Sequence, residues 1–248
     1  MNMTETCTKI ANLLGCDCEH IPVAAGGSAI YRRYKMLARQ GERTGFVPLV
    51  IYSSDTLLDA LQQNLAQAGA NTCVEHHAST LPQALAIDAA ALLQARLNIS
   101  VAGQDPAQLL GNFCEVHKPE GDDRLCQSCR NHAQEVLIAK CPTQNAWELP
   151  LFLPMGGFND CPAPAEQAAV FRFWQDFFGA TPAVVSYDIW ELRVQKPPQQ
   201  VLEAERLALQ QFAFCPDLVL QAHRNDGDSV RALASHLVDA KAWYFWWD

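Results

Sequence analysis

Trp243-Tyr244-Phe245-Trp246-Trp247-Asp248 is the stretch whose reading decides the fold. In a strand, successive side chains point to opposite faces. Trp243, Phe245 and Trp247 then share one face, and Tyr244, Trp246 and Asp248 the other. Rings on both faces predict a central strand, locked into the interior of a sheet-and-helix body. The alternative is an exposed aromatic face that serves as a binding hot spot.

The segments before it supply that body. Glu135 to Cys141 is rich in β-formers and reads as a strand. Trp147 to Leu153 reads as the next, with Pro150 marking it as an edge. Gly156-Gly157-Phe158-Asn159-Asp160-Cys161-Pro162 is a loop. A helix from Pro164 to Phe178 places Val170, Phe173, Trp174, Phe177 and Phe178 toward the core, and Gly179 stops it. Short strands follow at 182–187 and 189–194. Pro197-Pro198 opens a helix to Phe214, and another lies near 229–238.

The first half is richer in helix. Residues 4–15, 28–40 and 81–97 carry apolar residues at helical spacing. Phe46 to Tyr52 is a buried strand. Ser54-Asp55 caps a helix to Ala68, with Leu57, Leu58, Leu61 and Leu65 on one face. Residues 98–130 break the pattern with Gly103, Pro106, Gly111, Pro119 and Gly121. The expected class is α/β (α+β), a mixed sheet flanked by helices. The parts are an N-terminal α/β segment (1–97), a Cys-rich insertion (98–130) and a C-terminal α/β domain (131–248).

Composition narrows the function. Of the 248 residues, 49% are hydrophobic and 18% charged, an ordinary globular balance. Net charge is -9 with no Lys/Arg block, which disfavours nucleic acid and suits plain solubility first, or a basic partner. The start lacks a basic region followed by a long apolar one, and no apolar run approaches the ~20 residues that span a bilayer. The expected compartment is the cytoplasm, with no membrane partner. The ten cysteines are expected to be thiols or metal ligands rather than disulfides, with Cys141 and Cys215 in the core.

Four segments together resemble a known family. They are Gly45-Phe46-Val47-Pro48-Leu49-Val50; Val136-Leu137-Ile138-Ala139 leading to Trp147-Glu148-Leu149-Pro150; Gly156 to Pro162 followed by the Phe173-Trp174 helix and Gly179-Ala180; and Phe212-Ala213-Phe214-Cys215-Pro216-Asp217 with the aromatic tail. Their order is similar to that of the bacterial domain-of-unknown-function 4253 family, over most of residues 130–248. The resemblance implies an α/β domain and no defined activity. The Cys-rich stretch from 114 to 129 departs from the family pattern.

That stretch holds the clearest constellation, Cys114-x2-His117-x8-Cys126-x2-Cys129. Four thiolate and imidazole ligands in paired spacing suit one structural zinc, with a closed coordination sphere. His132 and Cys141 are possible substitutes, and a surface loop with coincidental Cys and His is the plain alternative. Cys16-x-Cys18-x-His20 and Cys73-x2-His76-His77 are weaker metal candidates. No cofactor-binding residues are expected: the chain has no P-loop, GxGxxG, GxSxG or HExxH pattern.

Glu148, Asn159, Asp160, Asp188, Glu191, Asp217 and Asp248 sit beside strand ends or turns. Carboxylates near rings can serve as acid or base. The structural reading gives Asn159 and Asp160 to the loop and Asp217 to a turn cap. The ranked expectation is a protein-binding module, immunity-like in its acidic charge, with a basic partner. The alternative is an enzyme of unknown reaction whose catalytic cluster is Glu148, Asn159, Asp160, Asp217 and Asp248.

Overall fold

The computed structural model describes residues 3–22, 26–115, 125–126, 135–221 and 228–248. Chain order is α1 (Glu5–Leu14), β1 (Cys18–Ile21), α2 (Gly26–Thr44), β2 (Val47–Tyr52), α3 (Asp55–Ala68), α4 (Cys73–Ala86), α5 (Ala89–Ser100), α6 (Pro106–Leu110), β3 (Val136–Cys141), α7 (Leu149–Phe152), α8 (Pro164–Phe178), β4 (Thr181–Val185), β5 (Ile189–Arg193), α9 (Val201–Phe214), α10 (Asp217–Leu220), α11 (Val230–Leu237) and β6 (Ala242–Trp246).

The strands form one six-stranded mixed sheet, in the order β1-β3-β2-β4-β5-β6. β2 and β4 are parallel, and every other pairing is antiparallel. β2, from the first half, lies between β3 and β4 of the second, so both halves share the sheet.

Alternation along the strands splits the core in two. Leu49 and Ile51 of β2 face a large cluster that includes Trp190, Leu192, Trp243 and Phe245 and residues of α1, α3–α5 and α7–α11. Val50 and Tyr52 face a smaller cluster with Ile30, Tyr31, Tyr34 and Leu37 of α2. The result is a sheet with many helices on one face and one long helix on the other. No helix among the described residues is long and apolar enough to cross a membrane.

The aromatic tail is where the sequence expectation needs correcting. Among the described residues β6 is an edge strand, paired only with β5. Trp243, Phe245 and Trp247 are buried, while Tyr244 is 43% exposed and Trp246 half-buried. One face is therefore locked in. Trp174 of α8 stacks on Phe245 at 5.4 Å between centroids and meets Trp243 and Phe214 edge-on. Such offset and T-shaped pairs add to what area burial supplies.

Three other expectations change. Trp147–Leu153 is not a strand but a 3-10 turn (Ala146–Glu148) running into α7. A short apolar run buried on all sides has no period to distinguish the two, and Pro150 sits in the first helical turn, where no N–H is needed. The 81–97 helix is two helices, separated at Ile87-Asp88 and restarted by the Asp88 side chain, which accepts from Ala90 and Ala91 N–H. On α8, Phe177 is 63% exposed and Phe173 only partly buried, while Phe171 and Gln167 take the core positions.

Candidate functional site

The register places a row of polar groups along one edge of the sheet. At that edge lie the ends of β1, β2, β4 and β6 and the starts of β3 and β5. In strand order the residues there are His20, Glu135, Ser53, Ser186, Asp188 and Asp248. This is the carboxyl end of the parallel β2–β4 pair, where open α/β sheets tend to bind ligands.

Beside this edge lies a groove of about 510 Å³ between α3 and the 156–158 loop. Thr56, Asp59, Gln63, Asn64 and Gln67 form one wall. Gly156, Gly157, Phe158, Pro164 and Tyr187 form the other. The loop wall is held from beneath by Gln167, which is wholly buried. Its Nε2 donates to the Met155 carbonyl (2.9 Å) and the Pro162 carbonyl (2.7 Å), and its Oε1 accepts from Trp190 Nε1 (2.7 Å). Gly156 has φ +107, and a Cβ there would collide with the Gln167 amide and the Pro162 carbonyl, so only glycine fits. Asn64 of α3 reaches across to the Pro154 carbonyl at 2.6 Å.

The groove borders a carboxylate cluster. Asp188, buried, accepts from Ser186 Oγ (2.6 Å) and Trp246 Nε1 (3.2 Å). Asp217 accepts from the Asp248 N–H (3.1 Å) and from Gln221 Nε2 (3.0 Å). Asn159, at φ 45, donates to the Asp248 carbonyl. Tyr187 stands between groove and cluster. Its hydroxyl pKa is raised, first by partial burial and then by the negative charge and hydrogen bonding of Asp188, with Asp248 adding to it.

The structure thus brings together Asn159, Asp217 and Asp248 of the sequence candidates. Asp160 is exposed on the same loop, and its carbonyl accepts from Arg96. Glu148 belongs elsewhere. It follows the carboxyl end of β3, at the opposite edge of the sheet. There it is buried and accepts from His77 Nε2 (2.8 Å), Thr143 Oγ1 (2.7 Å) and Asn145 Nδ2 (2.8 Å). His77 also stacks on Phe152 at 3.9 Å. Glu191 is buried on the α2 face and accepts from the Cys126 N–H at 2.6 Å.

Of the proposed zinc ligands, His117 and Cys129 lie outside the described residues, as does His132. The other two contact different layers. Cys114 N–H donates to Ser235 of α11 and its thiol faces the Ala232 carbonyl, whereas Cys126 packs in the α2-side cluster. The Cys73, His76, His77 group is spent on packing: burial pushes the Cys73 thiol up to about 12, and His76 Nδ1 bonds the Leu151 carbonyl at 2.8 Å. Burial also raises the Cys161 and Cys215 thiols far above the usual range. Both are core residues, and Cys215 donates to the Trp246 carbonyl.

Gln167 and Tyr187 were not singled out by sequence reasoning. Gln167 did carry a signal: it shares the i, i+3, i+4, i+7 stripe with Val170, Phe171 and Trp174. A polar residue on a core stripe must find buried partners.

Fold and site together define an α/β domain with a polar groove at one sheet edge and a dense aromatic core. Residues 137–248 match the model of a domain of unknown function (DUF4253), so this part of the chain resembles that family. The match holds β3 to β6 and the Gly156–Pro162 loop, and leaves α3, β2 and the Gly45–Val50 segment outside. No curated protein and no solved structure matches the chain.

Proposed function

We propose that the protein is a protein-binding module that takes a basic segment of a partner into the groove between α3 and the 156–158 loop. One observation carries this reading: the ionisable residues lining the groove are Asp59 and Tyr187, with no cation among the described lining residues. Asp59 and Tyr187 are exposed, and the carboxylates of Asp217 and Asp248 border the same side. An exposed tyrosine with Asp188 and Asp248 beside it suits an arginine or lysine side chain through both charge and stacking. The net charge of -9 adds long-range attraction for such a partner. The converging side chains Asn159, Asp188 and Asp217 are bonded to backbone and indole groups, an arrangement that shapes a surface rather than poises a base.

The test is titration calorimetry with an arginine-rich peptide and a glutamate-rich peptide of equal length. The arginine-rich one is expected to bind, more weakly as salt rises. Asp59→Lys reverses one charge and should weaken binding by about tenfold, the effect of about 1.4 kcal/mol. Equal binding of both peptides, or an unchanged affinity in Asp59→Lys and Tyr187→Ala, overturns the proposal.

A further inference from the structure

At the far end of the same sheet edge, three side chains from separate segments converge. Cys7 lies in the first turn of α1, His20 in β1, and Glu135 immediately before β3. Their ligand atoms all lie within 4.8 Å of one another. The geometry points to a binding site for one zinc-class divalent cation, held by Cys7 Sγ, a His20 ring nitrogen and a Glu135 carboxylate oxygen. This inference is independent of the peptide-binding reading.

The donor set argues for zinc. Thiolate, imidazole and carboxylate are its common ligands, at about 2.0–2.3 Å. At those lengths the edges of a tetrahedron measure roughly 3.3–3.8 Å. His20 Nε2 and Glu135 Oε1 stand 3.0 Å apart, already paired with each other. A bound ion would draw the three ligand atoms, all within 4.8 Å of one another, to that spacing. Three protein ligands leave a fourth position for water or an exogenous group.

The surroundings fix two of the three ligand-bearing segments, those of Glu135 and Cys7. Glu135 Oε2 accepts from the Thr4 N–H at 2.8 Å and from the Thr4 hydroxyl. Thr4 also caps α1 by accepting from the Cys7 N–H. The Glu135 carbonyl accepts from Ser53 N–H (3.0 Å) and Ser53 Oγ (2.7 Å), which pins the segment to the end of β2. His20 and Glu135 side chains are each 16% exposed, enough for an ion to enter, while Cys7 is buried. Without metal, burial pushes the Cys7 thiol up to about 11, so zinc binding must expel its proton. This trio combines one residue of the Cys16-Cys18-His20 motif with two distant partners, which is why spacing in the sequence does not show it.

The experiment loads the full chain with zinc or cobalt(II), dialyses it and measures metal per chain, with Cys7→Ser, His20→Gln, Glu135→Gln and Cys126→Ser in parallel. Expected is one ion per chain, weakened more than about tenfold in each of the first three variants and unchanged in Cys126→Ser. The cobalt form should show a thiolate charge-transfer band that Cys7→Ser abolishes. His20→Gln and Glu135→Gln are conservative and partly exposed, so circular dichroism can confirm their folding if Cys7→Ser fails to fold. No stoichiometric ion, or an ion retained in His20→Gln and Glu135→Gln, overturns the inference. So does an ion lost only in Cys126→Ser.

Discussion

Replacing Gln167 with Met should destabilise the protein out of proportion to the change in volume. The side chain is wholly buried and makes three hydrogen bonds, to the Met155 carbonyl, the Pro162 carbonyl and Trp190 Nε1. Met fills similar space but supplies neither the two donors nor the acceptor. Each buried group left without its partner costs about 1–3 kcal/mol. Partial relaxation of the loop should recover some of this, leaving a net loss of about 3–5 kcal/mol, a large fraction of the ~5–15 kcal/mol that holds a typical domain folded. Urea unfolding followed by tryptophan fluorescence reads the change directly, because Trp190 loses its own partner. The groove should also weaken, since its loop wall rests on this amide. A loss under about 1 kcal/mol, with the peptide affinity intact, would refute the idea that Gln167 supports the loop.

Glu148→Ala strips a buried carboxylate from His77, Thr143 and Asn145 and should cost about 2–4 kcal/mol in urea unfolding without altering peptide binding, since it lies at the opposite sheet edge. Phe245→Ala should cost about 3–5 kcal/mol, and Tyr244→Ala, one position away with a 43% exposed ring, should cost clearly less by thermal melts. His76 is buried and its pKa is lowered below 6.5 by that burial. The unfolded chain therefore takes up the proton first as pH falls through 6.5, so stability is full above that pH and declines below it. His76→Gln should flatten the stability profile between about pH 7 and 5, a window above the carboxylate range. Equal pH slopes for the two proteins would remove His76 as the cause.

Much of the fold was legible because the segments with strong periods obeyed them. β2, β3, α3 and α11 form where apolar spacing and caps place them. The tail is a strand with Trp243, Phe245 and Trp247 on one buried face, as alternation requires. Its position at the edge was not legible, because ring content says what can be buried and not which neighbour supplies the cover. The first half of α4, residues 73–80, was missed since His76 and His77 interrupt its apolar pattern, yet both side chains bond inward, to Leu151 and Glu148. At the site, Asn159, Asp217 and Asp248 were recognisable as polar residues at turns. Their convergence, and the separation of Glu148, depend on the β2–β4 pairing that sets which strand ends share an edge. The Cys7, His20 and Glu135 trio was invisible for the same reason, being 13 and 115 residues apart in sequence.

Whether the groove holds a basic segment can be read from an amide chemical-shift map recorded while the arginine-rich peptide is titrated into the isotope-labelled protein. Saturable shifts are expected in Thr56–Gln67, Gly156–Pro164 and Tyr187, fading as salt is raised. Shifts confined to other surfaces, such as the α5–α9 face, or no saturable shifts at low salt, would contradict binding in the groove.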